Sequence, residues 1–184
     1  TWLDVPLWQQ SDRLNRVQLV LHPDGSFETT WELVDVDEAV VGVSVGLGVP
    51  PFFNQADLSD AFDCEPQAIG LVPDCNDNGL ADPCEADIPG NPRWGVEHFV
   101  FDCDLINRQV RWVSQGSSPY WTVCSTNVSD FQINPLGGTD LPLSDEDAVN
   151  VPLGFAFPFE GQSYTDVYVY SNGYVTFGTL NHPR

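Results

Sequence analysis

Along most of this chain polar and apolar residues alternate with a period of two, the pattern of a β-strand with one buried face. In "NRVQLVLHPDGSFETTWELV" the apolar positions Val17, Leu19 and Leu21 give way to His22-Pro23-Asp24-Gly25, and alternation resumes at Phe27, Thr29 and Trp31. Two alternating runs around a Pro-Asp-Gly loop predict a β-hairpin, since Pro23 presets a turn dihedral and Gly25 accepts positive φ. "AVVGVSVGLGV" predicts a further, Val-rich strand whose glycines mark close packing or a bulge. "WLDVPLW" predicts a strand near an edge or bend, because Pro6 has no N–H for a ladder.

From residue 51 to 92 the alternation stops, and Pro, Asp, Asn, Gly and Cys dominate. No core strand is predicted there; the stretch reads as a linker or a small module organised by a ligand. Strand patterns return in "WGVEHFVFDCD" and "RQVRWVSQG", joined by a short connection containing Asn107, and in "YWTVCSTNV". The last segment, "NVPLGFAFPFEGQSYTDVYVYSNGYVTFG", is strand and turn throughout. Val167, Val169 and Ser171 alternate with Tyr168 and Tyr170, and Asn172-Gly173 predicts a tight primed turn before Val175 and Phe177. No long amphipathic helix is predicted. The expected fold is all-β, with antiparallel β-sandwich elements in segments 1–50, 93–130 and 131–184 and the Cys/Asp/Asn-rich stretch 51–92 between the first two.

Charge narrows the partners. The chain carries 27 acidic residues against six Arg and no Lys, a formal net charge of −21. Nucleic-acid binding needs a basic footprint, which is missing, and anionic membranes repel such a chain. Divalent cations or high salt relieve the self-repulsion, so adaptation to salt is one reading of the charge. No apolar run is long enough to span a membrane as a helix. The chain has no Met, as expected of a processed chain or a fragment. Five cysteines (Cys64, Cys75, Cys84, Cys103 and Cys124) fit an oxidising, extracellular or cell-surface setting, and Cys103 and Cys124 in strand-like segments suggest a bridge. Asn127-Val128-Ser129 matches the N-glycosylation pattern, which matters only in a host that glycosylates.

The strongest chemical motif is "DCNDNGLADPCE", Asp74 to Glu85. An EF-type calcium loop takes oxygen ligands at positions 1, 3, 5, 7, 9 and 12, with Gly at 6. Counted from Asp74, those positions are Asp74, Asn76, Asn78, Leu80 through its carbonyl, Asp82 and Glu85, and the glycine is Gly79. One register satisfies every position, so Ca2+ is the expected cofactor and its expected role is to rigidify a polar joint. Pro83 and the missing flanking helices argue against a helix-loop-helix sensor. Cys75 and Cys84 fall between the ligand positions, where they could clamp the loop, and no second tight Cys or His pair completes a zinc site.

A catalytic reading finds little support. His22 lies in a predicted turn, His98 in a strand and His182 near the end, and no Ser has a nucleophile-elbow context. There is no phosphate-cradling Gly loop and no His-Glu-x-x-His motif. The chain is expected to be no enzyme.

Two resemblances go further. The Asp74–Glu85 loop resembles the Cys-containing calcium repeats of secreted planctomycete-type proteins, similar in style to dockerin and thrombospondin type 3 repeats. That likeness implies Asp74, Asn76, Asn78, Asp82 and Glu85 as side-chain ligands. Phe157-Pro158-Phe159-Glu160-Gly161 with Val167 to Gly173 resembles the opening half of a bacterial extracellular β-sandwich module. Its closing half resembles residues 17–46, so the halves occur in swapped order. Three readings follow: a window cut from a tandem array, a circularly permuted sandwich, or strand completion by a neighbouring subunit. The last implies head-to-tail self-association into a calcium-stabilised filament or surface array. The other functional reading is an adhesive or carbohydrate-binding accessory module of a larger secreted protein, with the aromatic residues meeting a surface glycan. Against that strip stands ordinary core and cross-strand packing of the same rings.

Overall fold

The computed structural model describes the chain at residues 1–7, 10–43, 54–55, 58–59, 95–100, 103–114, 121–159 and 161–178. Five strands, β1 (Trp2–Leu7), β2 (Gln10–Leu21), β3 (Phe27–Leu33), β7 (Arg108–Ser114) and β8 (Trp121–Asn127), form an antiparallel sheet in the order β1-β2-β3-β7-β8. A second sheet sets β4 (Glu38–Gly42) antiparallel and β5 (Asn54–Gln55) parallel to β6 (Gly95–Val100). A third contains β9 (Ala148–Phe159), β10 (Gln162–Tyr170) and β11 (Val175–Thr176), in the order β11-β10-β9. The all-β expectation holds, and the arrangement is of the sandwich type.

The first hairpin forms where the alternation predicts it. His22 N–H donates to the Ser26 carbonyl at 2.9 Å and Gly25 N–H to the His22 carbonyl at 3.0 Å. Pro23, Asp24 and Gly25 are therefore a three-residue loop closed by Gly25 at φ 88°. Asp24 Oδ1 accepts from the Ser26 hydroxyl at 2.6 Å and from the Ser26 N–H at 2.9 Å. The hydroxyl first, then the amide, favours the charged carboxylate and holds Asp24 below its ordinary pKa.

The second turn differs from the primed type that Asn172-Gly173 predicts. Tyr170 N–H donates to the Tyr174 carbonyl at 3.0 Å and Gly173 N–H to the Tyr170 carbonyl at 3.3 Å, so Ser171 joins the loop. Only Gly173, at φ 85°, enters the left-handed region. The type I′ turn that Asn-Gly favours demands that of both central residues, whereas a three-residue loop demands it once, at the glycine.

One face of the five-stranded sheet carries the core. The register aligns Leu21, Phe27, Trp112 and Val123 across four strands, with Leu19, Thr29 and Val110 one step along. The Phe27 and Trp112 rings stack with centroids 5.5 Å apart, and Trp31 and Val110 are buried beside them. Val43 and Phe99 join this cluster from the β4-β6 region, and Phe157 joins it from β9. β6 and β7, neighbours in sequence, thus lie in different sheets, and the chain turns between them at Asn107 with φ 60°.

The two ends of the chain meet here within one molecule. Phe157 shares the cluster of Phe27 and Trp112, and the Trp2 indole N–H donates to the Tyr170 carbonyl at 2.8 Å. The suggested Cys103–Cys124 bridge does not form: Cys124 is disulfide-bonded, but Cys103 is not its partner. The register explains it. Cys124 pairs with Arg111, on the face opposite Trp112 and Val123, while Cys103 packs against the core cluster.

Two substitutions separate turn strain from inter-sheet contact. A Cβ at Gly25 would stand 2.8 Å from the Pro158 carbonyl oxygen and 2.9 Å from Pro158 Cγ, whereas at Gly173 it would meet nothing within 4 Å. Gly173→Ala is expected to cost about 1 kcal/mol and Gly25→Ala about 2–3 kcal/mol in a urea titration. Equal losses would mean that the β2–β3 loop does not rest on β9. The Asp24 bonds add a pH dependence. Their stabilisation is full above an ordinary Asp pKa of about 3.9 and is lost as pH falls through the lower folded value. Asp24→Ala is therefore expected to destabilise the protein at pH 6, and the difference from the parent should shrink below pH 3.

Candidate functional site

β1 pairs with β2 from Leu7–Gln10 to Trp2–Val17, at the first residues of the sequence. Because His22 N–H bonds the Ser26 carbonyl, alternation makes Val20–Glu28 and Gln18–Thr30 the exchanging pairs with β3. The N–H and C=O of Leu19 and Leu21 then aim at the opposite edge, beyond the end of β1. Among the described residues no strand pairs with that edge.

A cleft of about 430 Å³ opens beside it. Its floor is the Leu19–Leu21 edge, and its far wall is the inner face of the third sheet. On β9 the inward positions are Val151, Leu153 and Phe155, which alternate with exposed Pro152, Gly154 and Ala156. Val167 pairs with Val151, and Val169 pairs with both Val149 and Val175. Between the Pro152–Asp166 and Phe157–Tyr164 pairs β9 takes five steps and β10 only two, so β9 bulges there, with Gly154 at φ 76°. Trp2, tied to Tyr170, and Ile133 stand at the margin. No charged side chain lines the cleft.

The other face of the five-stranded sheet is polar yet buried. Gln18 clamps the segment before β9, donating to the Ile133 carbonyl at 2.7 Å and accepting from its N–H at 3.1 Å. Glu28, only 6% exposed, accepts from Gln109 Nε2 at 2.9 Å. Its other oxygen is 3.5 Å from Arg111 Nε and 3.5 Å from His22 Nε2. A buried carboxylate is tolerable only when bonded and offset by a cation, and Gln109 and Arg111 supply both. The geometry is that of a satisfied structural charge, with no nucleophile in it.

The expected calcium ligands Asp74, Asn76, Asn78, Leu80, Asp82 and Glu85 lie outside the described residues. So do Cys64, Cys75 and Cys84. Among the described residues no group of three or more His, Cys, Asp or Glu could hold a metal ion. The aromatic residues of the last segment pack against one another. Phe177 stacks on Phe157 at 5.1 Å and contacts Phe159 and Tyr164, and Tyr170 stacks on Tyr174 at 4.2 Å. None of the aromatic residues from Phe131 to Phe177 is exposed, so these rings offer no open platform for a sugar. Sequence reasoning named none of the cleft residues as a site.

The fold is all-β and of the sandwich type. Residues 122–183, from β8 through the third sheet, match a family model described as NIDO related, over well under half of the chain. No curated protein and no solved structure matches. NIDO-related domains are non-catalytic adhesion or structural modules, and the non-enzymatic assignment of this chain rests on that match. Among the described residues no helix is long and apolar enough to cross a membrane.

Gln109→Ala tests the polar face. It leaves one Glu28 oxygen buried without its donor, and a loss of about 2 kcal/mol in chemical denaturation is expected. A change below about 0.5 kcal/mol, the size of an ordinary surface substitution, would show that Arg111 alone satisfies the carboxylate.

Proposed function

We propose that this chain is an adhesive accessory module of a larger secreted or surface protein, working by binding. The observation that carries the reading is the NIDO-related match across the sheet that forms the cleft wall. The five cysteines and the acidic surface fit an extracellular setting. A protein partner is favoured over a glycan, because the described rings are spent on packing and the cleft is aliphatic.

Calcium at Asp74, Asn76, Asn78, Leu80, Asp82 and Glu85 belongs to this reading on spacing alone. A bound ion stabilises whatever state binds it. Millimolar calcium is expected to raise the unfolding temperature by several degrees, excess chelator to reverse it, and Asp74→Ala with Glu85→Ala to abolish it. An equal response in the double variant would remove the loop from the reading.

Assembly into a calcium-stabilised filament has less behind it, since the strands that head-to-tail completion would exchange pack within one chain. Light scattering separates the two. A monomer with and without calcium is expected, and open-ended growth with calcium would overturn the accessory-module reading in favour of the filament. Adhesion itself is tested by display on an otherwise non-adherent cell. Retention on protein-coated surfaces should rise and should survive excess soluble sugars; unchanged retention would defeat the reading.

A further inference from the structure

We infer that Cys124 forms its disulfide with Cys64, a bridge that ties the Cys/Asp/Asn-rich stretch to the last strand of the five-stranded sheet. This goes beyond the adhesive reading and does not depend on it.

The face that Cys124 occupies narrows the choice of partner. Cys124 is disulfide-bonded, and it stands opposite Arg111 on the polar face of β8. Cys103 packs against the core cluster on the other side and is not the partner. The chain then offers Cys64, Cys75 and Cys84, which lie outside the described residues.

Position chooses among these three. Leu58 is 2% exposed and belongs to the core cluster, and Ser59 beside it is fastened twice. The Ser59 hydroxyl donates to Asp104 Oδ2 at 2.8 Å, and the Ser59 carbonyl accepts from Arg108 Nη1 at 2.7 Å. The same Nη1 donates to Ser125 Oγ at 3.1 Å. One guanidinium nitrogen therefore holds Ser59 beside Ser125, the residue next to Cys124. Because β8 is the last strand of its sheet, a chain leaving Ser59 has a single strand to round before it reaches the face of Cys124. Cys64 comes five residues after Ser59. Five extended residues span about 17 Å, ample to pass one strand where neighbouring strands lie about 5 Å apart. Cys75 and Cys84 follow Ser59 by 16 and 25 residues. On chain entropy alone those longer tethers close about sixfold and about elevenfold less often.

With Cys64 on β8, Cys75 and Cys84 are left for each other, at the second and eleventh positions of the Asp74–Glu85 loop. The bridge then fastens to the sheet the stretch that leads into that loop, ten residues before Asp74. Closing it removes two protons and two electrons from the Cys64 and Cys124 thiols. Thiol–disulfide exchange passes them to a dissolved or protein disulfide, which leaves as two thiols. An oxidising, extracellular setting supplies such a disulfide.

Peptide mapping of the full chain tests the pairing. Free thiols are first blocked by alkylation, which stops exchange, and the protein is digested without reductant by an endoproteinase that cuts before Asp. The Asp positions put each of the five cysteines in its own peptide: 63–73, 74–76, 82–86, 102–103 and 104–129. Mass spectrometry is expected to find 63–73 joined to 104–129, and reductant to separate them. Joining of 104–129 to 74–76, 82–86 or 102–103 would overturn the inference, as would an unlinked, alkylated 104–129. Cys124→Ser gives a second measurement. It should leave Cys64 as the cysteine newly alkylated in the native protein; new alkylation at Cys75 or Cys84 instead would defeat the assignment.

Discussion

The burial of Phe157 in the cluster of Phe27 and Trp112 is the constraint on which the described fold depends. Phe27 comes from the first hairpin, Trp112 from the middle of the chain and Phe157 from the last segment. None of the three sheets closes this face alone, because each leaves aromatic surface for another to cover. Gly25 is the geometric counterpart of that burial. A Cβ at Gly25 would stand 2.8 Å from the Pro158 carbonyl oxygen, so only a residue without one lets the β2–β3 loop lie this close to β9. Such long-range closure must be assembled before it is rewarded, so folding is expected to be limited by topology.

Cations are scarce, and two of the four described arginines each face two carboxylates. Arg13 reaches Asp35 and Asp37, Arg16 reaches Asp4 and Glu32, and Arg111 stands by buried Glu28. Arg108 donates instead to the Ser59 carbonyl and to Ser125 Oγ, tying a loop to β8. The surface pairs contribute little individually in water, and salt weakens them. The same salt screens repulsion among the many carboxylates without a nearby cation. For this chain the second effect outweighs the first, since 27 acids face six arginines.

What the sequence disclosed was local. Alternation around His22–Gly25 was enough to place β2, β3 and their loop, and Pro6 correctly marked β1 as an edge. The Asn172-Gly173 turn was misjudged because a dipeptide does not reveal whether Ser171 joins the loop; the hydrogen bond between Tyr170 and Tyr174 decides it. Cys124 lies mid-strand in β8 and Cys103 just beyond the end of β6, and only the register shows that Cys124 faces away from the core that Cys103 packs against. Nothing local says that β6 leaves β7 for another sheet, because that choice is made by Phe99 and Val110 meeting in a common core. The cleft was least legible of all. Its wall is contributed by residues more than a hundred positions away from Leu19 and Leu21.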